Sequence, residues 1–161
     1  MILHEMMFLL MKIDIINVIK KSLDFIKMTS KSSINLITKD KEIFINGDED
    51  QLNRVFINLI KNSQEAIDEI SKKDTKFKGN IDIEIDNNND YIVCRLTDNG
   101  SGITDPKKAM TPYFTTKKTG TGLGLPIVTK IINEHLGDFS IRNKKKGKGT
   151  IISISLPKLN A

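Results

Sequence analysis

Nine consecutive residues, Gly120-Thr121-Gly122-Leu123-Gly124-Leu125-Pro126-Ile127-Val128, restrict this chain more than any other segment. Three glycines at alternate positions run directly into an apolar stretch. Glycine has no Cβ, so the backbone there can turn sharply and approach a ligand closely. The apolar stretch that follows reads as a helix, whose first turn carries unpaired N–H groups and a positive partial charge. A flexible, amide-rich approach to a helix N-terminus suits phosphate. A plain hinge would use the same residues. A dinucleotide fingerprint fits poorly, because its third glycine would fall at Leu125. A P-loop is excluded: Gly147-Lys148-Gly149-Thr150 lacks the Gly-Lys-Ser/Thr order, and no other segment supplies it.

The remaining pattern mixes helices with hairpins. Ile15, Ile16, Val18, Ile19, Leu23 and Ile26 predict a helix over 14–27. Short strands are expected at Ile34–Ile37 and Ile43–Ile45, followed by a second helix capped by Asp48 or Asp50. The lysine-rich stretch 71–79 reads as a surface connection. Alternation predicts strands at 80–86 and 91–97 around the turn Asn87-Asn88-Asn89-Asp90. An irregular stretch from Asp98 leads to a third helix, 125–135. Strands at 138–143 and 150–156 close the chain around a turn with Lys144, Lys145, Lys146 and Lys148. The expected class is α+β, with one sheet covered by helices on one face.

At 161 residues, 39% hydrophobic and 28% charged, the chain suits one domain with one core. The apolar run Met6–Met11 is too short to cross a bilayer, which takes roughly 20 residues. It also lacks the basic start and small-residue cleavage site of a signal peptide. The single cysteine, Cys94, lies in an apolar strand and is expected to be buried and inert; its solitary state suits a reducing cytoplasm. The net charge of +5 comes from scattered lysines, which gives no nucleic-acid footprint.

Two polar features interrupt this pattern. On the second helix, Leu52, Val55, Leu59 and Ala66 follow three- and four-residue spacing, and Asn62 stands where the series calls for an apolar residue. Asn58 is one turn earlier, on nearly the same side. A buried amide needs a partner, either backbone or ligand. The second feature is Asp98-Asn99-Gly100-Ser101-Gly102 at a strand's end. Its residues are turn formers, but Asp98 could also accept from an exocyclic amine.

Together these motifs resemble the catalytic ATP-binding domain of sensor histidine kinases, within the superfamily that includes gyrase, MutL and the ninety-kilodalton heat-shock chaperone ATPases. Asn58-Leu59-Ile60-Lys61-Asn62-Ser63-Gln64-Glu65-Ala66 is similar to the family's N box, and Asp98-x-Gly100-x-Gly102 to its first glycine box. Pro112-Tyr113-Phe114-Thr115-Thr116-Lys117 resembles the F box, Gly120–Leu125 the second glycine box, and Gly147-Lys148-Gly149-Thr150 the last G-x-G-T motif. Five motifs occur in the family's order. The wording is most like the nitrogen-regulation sensors of the NtrY and NtrB type.

The resemblance implies a two-layer α/β sandwich of the Bergerat type, with a mixed, mainly antiparallel sheet, over residues 13–161. Residues 1–12 would be the end of an upstream dimerisation helix or a truncated start. ATP and Mg²⁺ are the implied cofactors. Asp98 would accept from the adenine amino group, with Thr150 and a water completing recognition, and Gly100 and Gly102 would let backbone lie along the base. Asn62 would bind Mg²⁺, Asn58 would support that site, and Lys61 would neutralise phosphate charge. Residues 104–119 would form an ATP lid anchored by Phe114, with Thr115, Thr116 and Lys117 beside it. Gly120, Thr121, Gly122, Leu123, Gly124 and Leu125 would place helix N–H groups on the phosphates. The implied partners are a histidine-bearing dimerisation domain and, through it, a response regulator. In the hydrolysing relatives a glutamate stands where this chain has Asn58. An amide cannot act as a base near neutral pH, which argues for transfer over hydrolysis. The family's acceptor motif is His-Glu/Asp-Asn-Pro, whereas His4-Glu5 is followed by Met6-Met7. His135, at the end of the third helix, is expected to act as a dipole-favoured cap.

Overall fold

The computed structural model describes residues 10–110 and 124–159. The elements run β1 (Met11–Asp14), α1 (Ile15–Lys27), β2 (Ser33–Ile37), β3 (Phe44–Gly47), α2 (Glu49–Ser71), β4 (Asn80–Asn87), β5 (Tyr91–Asp98), α3 (Pro106–Ala109), α4 (Gly124–Glu134), β6 (Asp138–Asn143) and β7 (Thr150–Pro157).

Five strands form the main sheet in the order β2-β4-β5-β7-β6. Only the β2–β4 pair is parallel; β4–β5, β5–β7 and β6–β7 are antiparallel. Alternation decides which face is covered. Ile81, Ile83 and Ile85 of β4, Ile92, Cys94 and Leu96 of β5, and Ile152, Ile154 and Leu156 of β7 are buried. Their neighbours Asp82, Glu84, Arg95, Ser153 and Ser155 point the other way and are half-buried or exposed. One face is therefore dry and one is wet, as an antiparallel sheet permits. The wet face carries the exposed Arg95–Asp86 ion pair, which contributes little.

The helices cover the dry face. Asp14 caps α1, its carboxylate accepting from Ile16 N–H, and Asp48 caps α2 by accepting from Gln51 N–H. Both carboxylates sit at helix N-termini, where negative charge is favoured. Ser22 of α1 donates to Asn53 of α2 at 2.6 Å, fixing the two helices side by side. Phe56 is the largest fully buried side chain among the described residues. Truncating such a phenylalanine to alanine typically costs about 3–5 kcal/mol.

Three details depart from the sequence reading. Met11–Asp14 pairs antiparallel with β3, Met11 opposite Gly47, so a strand begins before residue 13. The stretch read as wholly irregular contains α3, capped by Asp105 and opened by Pro106. The buried stripe of α2 runs through Leu52, Val55, Phe56, Leu59, Ile60, Ser63 and Ile67. Asn62 and Ala66 flank it and are half-buried. The polar interruption of the stripe is thus Ser63, whose hydroxyl is buried without a hydrogen-bond partner among the described residues. Leu52, Val55 and Leu59 lie in the buried stripe as expected, and the expected series leaves it only at Asn62 and Ala66, one position short of Ser63 and Ile67.

His135 bonds the end of α4 as a ring donor and not as the dipole-favoured charge expected from the sequence. It is buried, its Nδ1 lies 2.8 Å from Ile131 O, and its Nε2 accepts from Asp48 N–H at 3.0 Å. A ring nitrogen that accepts carries no proton, so Nδ1 is the donor and the neutral tautomer fits. The ring ties the end of α4 to the start of α2. Leu136 then takes a left-handed φ of 60°, the position where a helix usually ends in glycine.

Candidate nucleotide site

The β5–β7 register places Thr97 opposite Ile151, and so brings Asp98 beside Thr150 at the end of the sheet. The Asp98 side chain is only 2% exposed and is held by three donors. Its Oδ1 accepts from Gly100 N–H at 2.9 Å and from Thr150 N–H at 3.2 Å. Its Oδ2 accepts from the Thr150 hydroxyl at 2.6 Å. A carboxylate offers about four acceptor positions, so one on Oδ2 has no donor among the described residues. A buried carboxylate fixed on three sides and open on one can receive an N–H group from a ligand.

The backbone around Asp98 is drawn tight. A Cβ on Gly149 would lie 2.0 Å from Asp98 O, and Gly149 has φ +127°. No other residue fits there. A Cβ on Gly100 would come within 2.8 Å of Ala66 C and 2.9 Å of Ile67 N. Gly100 therefore lets the loop press against α2, where Ser101 N–H donates to Ala66 O at 3.1 Å.

Helix α2 is the spine of the site. Asn58, Asn62 and Ala66 succeed one another at one-turn spacing along one side. The Gly100 loop meets the Ala66 end. At the other end Gly124, the first residue of α4, packs on Asn58: a Cβ on Gly124 would lie 3.1 Å from Asn58 Oδ1. Eight residues of helix separate these ends, about 12 Å. The N box, the Gly100 loop, Gly124 and the strand-end aspartate thus share one side of the molecule. Gly124 and Leu125 begin the first turn of α4 beside Asn58, and Pro126 in that turn has no N–H to offer. Leu125 is half-buried and packs on the core, anchoring that turn. Lys61 lies exposed on α2. Phe114, Thr115, Thr116, Lys117, Gly120, Thr121, Gly122 and Leu123 lie outside the described residues, as does His4.

The structure adds a residue that carries no signal in the sequence. Asn143, last in β6, accepts from Ile103 N–H at 2.8 Å and donates to Ile103 O at 2.6 Å. An asparagine before a lysine turn reads as a turn former, and only the fold brings it to a loop forty positions away.

Burial raises the Cys94 thiol to about 12, which agrees with the expected inert core cysteine. Among the described residues, no helix is long and apolar enough to cross a membrane.

Residues 47–160 match the family model described as "Histidine kinase-, DNA gyrase B-, and HSP90-like ATPase". Sporulation kinase C of Bacillus subtilis is 38% identical over 115 residues, covering 70% of this chain and 25% of that protein. A putative NtrY-like sensor histidine kinase of Rickettsia conorii is 39% identical over 109 residues, covering 66% of this chain and 17% of that protein. This chain therefore spans about a quarter or less of these relatives. The catalytic domain of the histidine kinase ThkA superposes with a TM-score of 0.78 at 25% identity, covering 92% of this chain and 95% of that one. A mycobacterial sensor kinase, MprB, shares the fold at a TM-score of 0.75 and 21% identity. With the motifs, the α+β sandwich and the family match in agreement, this chain belongs to the histidine kinase-, DNA gyrase B- and HSP90-like ATPase family, as a histidine-kinase-type ATPase domain.

Proposed function

We propose that this domain binds Mg-ATP and passes the γ-phosphoryl group to a histidine on a dimerisation domain, in the same or a separate chain, within a two-component signalling system. The observation that carries this reading is the Asp98 carboxylate, buried, held by three donors and left, among the described residues, with one acceptor position on Oδ2. That position suits the exocyclic amine of adenine, which is a donor; guanine presents a carbonyl there and would meet acceptor with acceptor. Thr150 orients the carboxylate through both its N–H and its hydroxyl.

The other end of the α2 spine suits phosphate and its counter-ion. Gly124 leaves room beside Asn58 that a Cβ would narrow, and α4 presents N–H groups there. Asn62 and Asn58 offer amide oxygens, which are hard ligands. Mg²⁺ characteristically takes one or two such protein oxygens and completes its shell with phosphate oxygens and water. Asn62, with Asn58 in support, would hold that ion, which when bound neutralises phosphate charge. Lys61 adds an exposed cation on the same helix. Phe114, Thr115, Thr116, Lys117 and the glycines at 120 and 122 belong to this proposal on the motif resemblance alone. Asn58 cannot deprotonate water, so the chain's own residues favour delivery of phosphate to a protein nucleophile. A response regulator is the proposed onward partner, and the cytoplasm the proposed site of action.

The test is transfer from γ-labelled ATP. The domain alone should retain no label, and a histidine-bearing dimerisation domain from the same genome should acquire it slowly and in proportion to domain concentration, since tethering is absent. Label on His4 or His135 of the isolated domain, or none on any supplied histidine domain, would contradict the proposal.

A further inference from the structure

Asn143 pairs with one residue, Ile103, through both of that residue's backbone groups. This is what a neighbouring strand does for a strand residue, performed here by a side-chain amide. Its place in the sheet gives the pairing a use. Asn143 and Thr150 are directly opposed in the β6–β7 register. Thr150 holds the Asp98 carboxylate, and Asn143 holds Ile103 five residues further on. One strand pair therefore grips both ends of the Asp98–Ile103 loop. Between the grips, Gly102 adopts φ +84° with its Cα laid against the Asn143 amide; a Cβ there would stand 3.0 Å from Asn143 Oδ1. Lys144 N–H donates to Gly149 O at 2.9 Å and closes the hairpin just beyond the pair.

Asn143 is itself exposed, so its bonds compete with water and add little to the core. Their effect is local: they choose one path for a glycine-containing loop that would otherwise sample many. We propose that Asn143 is a positioning residue for base binding, which holds Gly100–Ile103 in the path that keeps the open acceptor position of Asp98 accessible. This rests on the nucleotide reading above and goes beyond it, because Asn143 belongs to none of the five motifs. It acts through the loop and does not touch the ligand.

The experiment compares wild type, Asn143→Ala, Asn143→Asp, Asp98→Ala and the Asp98→Ala/Asn143→Ala double variant, by calorimetry with adenosine and with Mg-ATP, and by thermal melting. Asn143→Ala should weaken adenosine and ATP by the same factor, on the order of three- to tenfold, because the defect is at the base end. Its melting temperature should move by no more than a few degrees. Asn143→Asp keeps the acceptor for Ile103 N–H but sets a carboxylate oxygen against Ile103 O, so it should weaken binding at least as much as Asn143→Ala. In the Asp98→Ala background the Asn143→Ala effect should largely disappear, since residues acting through one another are not additive. Unchanged affinity in Asn143→Ala, full additivity with Asp98→Ala, or unfolding of both Asn143 variants would overturn the proposal. If wild type binds neither adenosine nor ATP, the nucleotide reading falls and this inference with it. If wild type binds both in an Asp98-dependent way while Asn143→Ala matches it, this inference alone falls.

Discussion

Two buried acidic groups on β5, four residues apart, do opposite things. Asp98 is surrounded by donors that hold an oxygen acceptor in place. Cys94 is surrounded by apolar side chains, and burial raises its thiol from an ordinary 9.0 to about 12. The native thiol should therefore resist alkylation at pH 8, reacting only as fast as the protein opens, and urea should expose it. The linkage has a definite sign. The unfolded thiol ionises near 9.0 and the folded one near 12, so the protonated form is favoured in the fold. The thiol's contribution is intact below pH 9 and is lost as pH rises from 9 toward 12, by at most about 1.4 kcal/mol per pH unit. Denaturant titrations of wild type and Cys94→Ala across that range measure it; slopes that do not differ would show that the thiol ionises alike in both states.

At the scale of elements, α2 does most of the organising. Its buried face packs on the sheet, while its flank carries Asn58, Asn62 and Ala66 past two glycine motifs. Gly100→Ala should consequently be costly, because its Cβ would meet helix backbone, which cannot swing aside: about 1–3 kcal/mol of overpacking, read by denaturant unfolding. Gly147→Ala meets nothing within 4 Å and bears only the strain of φ +75°, about 1–2 kcal/mol. A Gly100→Ala variant as stable as wild type would mean that the loop stands off the helix. Most elements could be read from residue periodicity, since β4, β5 and β7 alternate and α1 repeats cleanly. The α2 face was misjudged because Ser63 is polar, and a serine at the centre of a buried stripe gives no hydrophobic signal. β1 is four residues long and pairs only with another four-residue strand, below what alternation can resolve. Asp98, Gly100 and Gly124 were visible because each stands in a glycine-rich break of a local pattern, and Asn58 because it lies one turn from Asn62. Asn143 breaks none, and its partner is set by long-range register.

On the scale of the whole molecule, the sheet's end, the α2 flank and the α4 N-terminus converge, and His135 joins the far end of α4 to the head of α2. The helix that presents N–H groups at Gly124 is thereby fixed at its other terminus against the helix that carries Asn58 and Asn62. A ligand bridging the two ends of the α2 spine would engage elements already held at their distal ends, so little among the described residues has to be ordered on binding. The central claim is that the Asp98 carboxylate recognises the base of ATP. Calorimetric titration of Mg-ATP into wild type and Asp98→Ala tests it most directly. Removing the acceptor should weaken binding by about ten- to a hundredfold, or roughly 1.5–3 kcal/mol, with magnesium dependence retained in the residual binding. Equal affinity in a folded Asp98→Ala domain would contradict the account.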